Sequence, residues 1–199
     1  MLNRLKLSIL FCLLVQTSFS QKFMHGAGTG VFINFSSGIE PAIPTVLSYA
    51  PRINCFENGD LSVSAGIPFS IGFAISDYAD FNSSPGLDME SIFTYVINIP
   101  AMVNLNIGAG ASKQTTKRFG VFIGGGFAYQ YGRYVLDGYD AYTGRHTTVN
   151  ESSLGPAGNL GLRFAVGRHQ KNIETRLSYM RSLKEDRTSA IGIVALFNF

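Results

Sequence analysis

From Leu61 to Ile75 the chain reads LSVSAGIPFSIGFAI. Every odd position is apolar, from Leu61 and Val63 through Phe69 and Ile71 to Ile75, and the even positions are only Ser, Gly, Pro or Ala. A period of two over such a length predicts an extended strand with one greasy face and one face of small residues. The same period recurs over 26–35, 45–56, 92–107, 119–134, 154–168, 172–183 and 189–199. In the fifth of these eight segments Phe119, Val121, Ile123, Phe127, Tyr129 and Tyr131 face Gly120, Gly124, Gly126, Ala128, Gln130 and Gly132. In the sixth the apolar set moves to even numbers, with Leu160, Leu162, Phe164 and Val166, and in the seventh it returns to odd ones.

An even number of antiparallel strands can close into a barrel with both termini at one end. The connections fit that geometry. Segments 57–59, 109–117 and 169–172 are the shorter links on the side of the termini, whereas 36–44, 77–90 and 135–152 are long and polar. Only 183–187 is short on that second side. A soluble barrel or sandwich would turn its apolar face inward and carry Lys, Glu and Asp on the outer one. Here the second face is mostly Gly, Ser, Ala and Asn, which suits the narrow interior of a small barrel. The strands also exceed the usual five or six residues and reach the roughly 9–11 needed to cross a bilayer at a tilt. The expected architecture is therefore all-β: an eight-stranded antiparallel up-and-down transmembrane barrel with lipid outside.

Two details test that expectation. Pro51, Pro68, Pro100 and Pro156 fall within or beside strands, and a closed barrel has no edge to accept them. Bulges or interrupted pairing are expected there. Parity constrains the Cys55–Leu61 hairpin, because odd residues face outward on both flanking strands. A three-residue loop Glu57-Asn58-Gly59 with a left-handed Gly59 satisfies it and pairs Cys55 with Leu61. The switch between strands six and seven asks for an even loop, such as Gln170-Lys171.

Composition narrows the class further. Of 199 residues, 46% are hydrophobic and only 15% charged, and the formal charge of +3 is spread without a basic block, so no nucleic-acid partner is expected. Residues 1–20 join a basic start, MLNRLK, to the apolar LSILFCLLV and a small-residue end at Ser18 and Ser20. That is the make-up of a cleavable signal peptide, and its core is too short to span about 30 Å of hydrocarbon as a helix. The barrel domain then covers 21–199, with Cys55 as its lone cysteine and no internal disulfide to form.

The leader, the eight amphipathic segments and the terminal IVALFNF together resemble small outer-membrane barrels of the OmpA/OmpX type. The stretch SYAPRINCFENGDLSVSAGIPFSIGF is similar to the outer membrane protein beta-barrel domain proteins of Bacteroidota. The resemblance implies residence in the cell outer membrane, contact with its lipid, and recognition of a terminal aromatic signal, Phe197 and Phe199, by the outer-membrane assembly machinery.

Chemistry is sparse. His146 lies near Glu151, Ser152 and Ser153, but neighbours in sequence do not make a nucleophile, base and orienting group. The run Gly124-Gly125-Gly126 lacks the Lys-Ser/Thr of a phosphate loop and lies in a strand. No cofactor, metal or catalytic set is expected. More informative are Arg52, Arg163, Glu174 and Arg176, which all fall on inward positions. Isolated burial of such charges costs several kcal/mol each, so they must pair, with Asn98, Asn104, Asn106, Gln130 and Asn159 as acceptors. Three Arg to one Glu leaves water or a loop acid to complete the network. The expected function is a non-enzymatic barrel with a plugged lumen that supports the envelope or presents surface loops to an unknown partner. The alternative is a lipid-modifying enzyme or a narrow small-solute conduit.

Overall fold

The computed structural model describes residues 23–36, 38–80, 88–112, 114–140, 145–167, 171–184 and 188–199. The leader at 1–20 lies outside them. The first strands are β1 (Phe23–Met24), β2 (Gly26–Ser36), β3 (Ile39–Ala42), β4 (Thr45–Tyr49), β5 (Arg52–Asn58) and β6 (Leu61–Gly66). They are followed by β7 (Phe69–Asp80), β8 (Asp88–Gly108), β9 (Phe119–Asp140), β10 (Arg145–Ala165), β11 (Asn172–Arg181) and β12 (Ser189–Asn198).

Every pairing is antiparallel. β1 with β2, β3 with β4 and β5, and β6 with β7 each make one stave, and β8 to β12 make one each, giving eight staves in all. Staves pair in chain order, and the β12–β2 ladder from Ser189↔Phe35 to Asn198↔Gly26 closes the ring. Closure removes the edges of the ring itself, while beyond it β7 past Phe73 and β10 before Ala157 are laddered to one neighbour only.

The prolines mark the irregularities. Staves two and three break at Ala50-Pro51 and at Ile67-Pro68, where Ile67 N donates to Pro51 O at 3.3 Å. Pro100 and Pro156 instead lie inside continuous strands, opposite Ala128 and Phe127 of β9. Each places its missing N–H where the other ladder has stopped. β8 pairs with β7 only as far as Asn98 and with β6 only from Met102, so Pro100 faces the gap. β10 pairs with β11 only as far as Ala157↔Met180, one residue short of Pro156. A proline costs little where no donor is needed.

The β5–β6 hairpin corrects the expected register. Asn58 pairs with Leu61, so the loop is the two residues Gly59-Asp60, with Gly59 at φ +58°. The extra residue that parity requires is Cys55, a bulge between Asn54↔Ser64 and Phe56↔Val63; it does not pair with Leu61. At the β10–β11 turn the switch occurs, with Leu160↔Leu177. The loop is even, as the switch requires: Val166 N donates to Lys171 O at 2.8 Å across the four positions 167–170, of which 168–170, with Gln170, lie outside the described set.

The outer wall is apolar. Leu47, Phe73, Val103, Ile123, Phe127, Leu160, Leu162 and Ile193 are all exposed side chains. Inside, Phe32, Val46, Ala50, Val96, Val194 and Leu196 pack as a small apolar cluster, and most of the other buried side chains are polar, with Met102, Phe122 and Met180 among the apolar exceptions. The segments expected as long loops are largely strand. β8, β9 and β10 run for 21, 22 and 21 residues, about twice what a tilted strand needs to cross a bilayer. Segment 36–44 holds β3, which pairs with β2 and also, through Ile39↔Leu136, with β9. Since β9 is three staves from β3's own, β3 leans across the barrel mouth with Ile39 buried.

Candidate functional site: the charged layer of the lumen

Strand geometry assembles this layer about one turn of pleat inside the termini end. Glu174 and Arg176 are two apart on β11, so both point inward. Arg163 on β10 is directly opposite Glu174. Arg52 begins β5, where the chain resumes after Pro51. The structure brings all four together. Glu174, fully buried, accepts five hydrogen bonds. Its Oε2 receives Arg163 Nε at 2.7 Å, Asn198 Nδ2 at 3.1 Å and Arg52 Nη1 at 3.2 Å. Its Oε1 receives Arg176 Nη2 at 2.5 Å and Nε at 3.0 Å.

The layer extends through neutral groups. Arg163 Nη1 donates to Asn106 Oδ1 at 2.8 Å, and Asn106 Nδ2 in turn reaches Ser64 Oγ at 3.0 Å and Ser62 Oγ at 3.2 Å. The Phe122 ring lies 4.3 Å from the Arg163 guanidinium and 5.7 Å from that of Arg176, within cation–π range. Gly161 makes room for it, because a Cβ there would stand 2.5 Å from the ring.

Below the cations a turn of the chain lies against the inner face of the barrel. Ala109, between left-handed Gly108 and Gly110, is buried, as are Ala111 and Ser112 just after them. Asn54 Nδ2 donates to Ala111 O at 2.8 Å and to Glu57 Oε1 at 2.9 Å, and the Ser112 hydroxyl donates to Gly59 O. Above the cations is a cavity of about 40 Å³, lined among others by Ser48, Ser70, Asn98, Asn159, Arg176 and Ser178. That is room for about three waters. Higher still, Gln130 Nε2 donates to Asn34 Oδ1 at 2.6 Å and to the Tyr134 hydroxyl at 3.0 Å.

Of the amides expected to serve the arginines, only Asn106 bonds one among the described residues. Gln130 serves a separate layer, and the Oδ1 atoms of Asn98, Asn104 and Asn159 receive no hydrogen bond. Sequence reasoning missed Asn172, Asn198 and Phe122. Phe122 was the readable one, a bulky ring on the small-residue face of its strand.

His146 lies on the outer part of β10, with Nδ1 3.9 Å from Glu40 Oε1 on β3. Glu151, Ser152 and Ser153 follow along the same extended strand, five to seven residues on, which separates them from it by roughly 17–23 Å. Gly124 to Gly126 are in β9, against β8 and β10. At the termini end Phe199 is exposed and stacked on His25, 5.7 Å between centroids, while its N–H donates to His25 O at 2.9 Å. His25 Nδ1 and the Tyr49 hydroxyl share a hydrogen bond of 2.6 Å.

No protein-family model and no curated relative matches the chain. Solved structures do. Neisserial surface protein A aligns with a TM-score of 0.57 at 13% identity, over 88% of this chain and 95% of its own. Ail, the attachment invasion locus protein of Yersinia pestis, gives 0.48 at 14%, over 89% and 99%. The N-terminal beta-barrel domain of Pseudomonas aeruginosa OprF gives 0.40 at 13%, over 89% and 100%, and neither of these two adds weight to the first. With its closed antiparallel ring and outward apolar wall, the chain has the fold of a small OmpA/OmpX-type outer-membrane β-barrel.

Proposed function

We propose that this protein is a non-enzymatic integral barrel of the outer membrane whose lumen is plugged. It is exported by the leader at 1–20, and it serves the envelope as a scaffold that displays the β7–β8 and β9–β10 hairpins outside the cell. The observation that carries this reading is the filling of the lumen at successive levels. The turn at 109–112 supports closure at one end, the Glu174 cluster and the Gln130 layer occupy the middle, and β3 leans across the mouth. Eight staves enclose little more than side chains, so these groups leave no room for a continuous channel.

In this orientation the termini and the 109–112 turn face the periplasm, as short turns do in such barrels, and the long hairpins face outward. Outer-membrane lipid covers the apolar wall. Phe197 and Phe199 form the signal read by the assembly machinery, after which the folded barrel holds Phe199 against His25. The enzymatic alternative draws no support from His146, whose neighbouring serines an extended strand keeps far from it.

Deleting the gene tests the role. Loss of envelope resistance to detergents, with uptake of small solutes unchanged, is the expected result. A selective fall in the uptake of one small solute would overturn the reading in favour of a conduit.

A further inference from the structure

We infer that the cleft where β8 parts from β9 binds the phosphate group of an outer-leaflet lipid, with Arg133 as its principal donor. The inference rests on the reading that the long hairpins face outward, and goes beyond it to a ligand. The β8–β9 ladder ends at Tyr95↔Arg133. Beyond that rung β8 stays with β7 as far as Asp80↔Asp88, and β9 stays with β10 as far as Arg145↔Asp140. β3 takes the edge of β9 that β8 has left, through Ile39↔Leu136. The two hairpins diverge around an open cleft of about 320 Å³, lined by Ser91, Ile92 and Phe93 of β8, Arg133 of β9, and His146 and Thr148 of β10. That volume lies within the range of small-ligand clefts.

Arg133 is held ready for an anion. Its Nε and Nη2 both donate to Thr148 Oγ1, at 3.2 and 2.9 Å. That fixes the guanidinium plane and leaves Nη1, with the second Nη2 proton, for a bidentate acceptor. Among the described residues Arg133 pairs with no carboxylate. The acidic neighbours stand to either side of it. Glu40 Oε1 lies 3.9 Å from His146 Nδ1, and Asp77 is opposite Ser91 on the far side of β8. Depth selects the source of the phosphate. Arg133 follows Tyr129 and Tyr131 on the outward face of β9, and the Tyr131 ring lies 6.1 Å from that of Tyr95. Such tyrosines form the girdle at which hydrocarbon gives way to headgroups. Phe73, Ile75 and Phe93, all exposed, bring the apolar wall up to the cleft, so acyl chains would lie below a phosphate held there. An arginine that only snorkels keeps its head free in water. This one is tied across to β10 at the root of a cleft.

The full chain is refolded into dodecyl maltoside micelles, and bound lipid is counted by native mass spectrometry. The probes are dimyristoyl phosphatidic acid, dimyristoylglycerol, which lacks the phosphate, and sodium phosphate. Phosphatidic acid should bind in a saturable way at a single site, dimyristoylglycerol should not, and millimolar sodium phosphate should not displace the lipid. Arg133→Gln should weaken binding by about ten- to a hundredfold, as the loss of hydrogen bonds from a charged donor does. Thr148→Val keeps the charge but frees the guanidinium, and should cost less. Arg118→Gln, exposed at the opposite end of β9, should bind as the wild type does. Heat-modifiable mobility checks the fold of each variant, and Thr148→Val with Arg133→Lys carries the test if Arg133→Gln does not fold. Wild-type affinity in the Arg133 variants, or an equal loss in Arg118→Gln, would overturn the site. Displacement by sodium phosphate would overturn the lipid assignment in favour of a free anion. A micelle has no sides, and none of these readings involves conductance or uptake, so failure here is distinguishable from failure of the outward-facing or plugged-lumen readings.

Discussion

Replacing Glu174 by Ala removes the one buried anion from a layer of three guanidiniums. Glu174 is fully buried, and its five hydrogen bonds come from Arg52, Arg163, Arg176 and Asn198. Breaking a buried pair by deleting one partner costs about 3–5 kcal/mol, because the surviving charge stays desolvated. Here three charges survive, although water from the adjoining cavity of about 40 Å³ can relax into the space and hold the loss near that range. About 4 kcal/mol corresponds to roughly a thousandfold in the folding equilibrium. Urea titration of the barrel in micelles, read by the folded and unfolded bands on an unheated gel, measures it directly. Glu174→Gln is the informative companion, since it keeps an acceptor and most of the shape while removing the charge. It should recover only part of the loss. If Glu174→Ala unfolds within about 1 kcal/mol of the wild type, the layer is solvated and the reasoning fails.

The other predictions follow from packing and ladder geometry. Gly161→Leu should destabilise by about 1–3 kcal/mol, because its Cβ alone would stand 2.3 Å from the Thr175 carbonyl oxygen and 2.5 Å from the Phe122 ring; an unchanged urea midpoint would show that both the β11 backbone and the ring yield freely. Pro100→Ala should shift stability by less than about 1 kcal/mol, since the added N–H faces the gap between β6 and β7 and not a ladder; a larger gain would mean that the proline is strained. Deleting Phe199 should sharply lower the fraction of protein assembled in the outer membrane, scored by heat-modifiable mobility, while His25→Ala, which removes only its stacking partner, should have a smaller effect. Equal effects would assign Phe199 to rim packing instead of assembly.

The staves were readable because lipid on one side and a narrow lumen on the other impose a strict period of two. Where that pressure ends, so did legibility. β3 and the outer halves of β8, β9 and β10 carry mixed sequence beyond the greasy band, and their pairing depends on contacts such as Ile39↔Leu136 that no local pattern encodes. Parity required one extra residue in the β5–β6 hairpin but could not place it. A three-residue loop and a bulge satisfy the same count, and the structure takes the bulge at Cys55. The prolines were visible, but which of them interrupts a strand depends on where the neighbouring ladder stops. The charged residues of the lumen could be assigned to its inner face; the β10–β11 register sets Arg163 beside Glu174, whereas Arg52 reaches it from β5, which is neither of the strands flanking Glu174. Their neutral partners could not be assigned. Asn172 and Asn198 join the layer through a bond at 2.7 Å across the last rung of the β11–β12 ladder.

The central claim is that the lumen is closed, and planar-bilayer recording of the purified wild-type protein tests it most directly. The account predicts that incorporated barrels give no stable conductance, because the 109–112 turn, the Glu174 cluster and β3 obstruct the path in series. Large, stable and reproducible single-channel steps from the folded protein would contradict it.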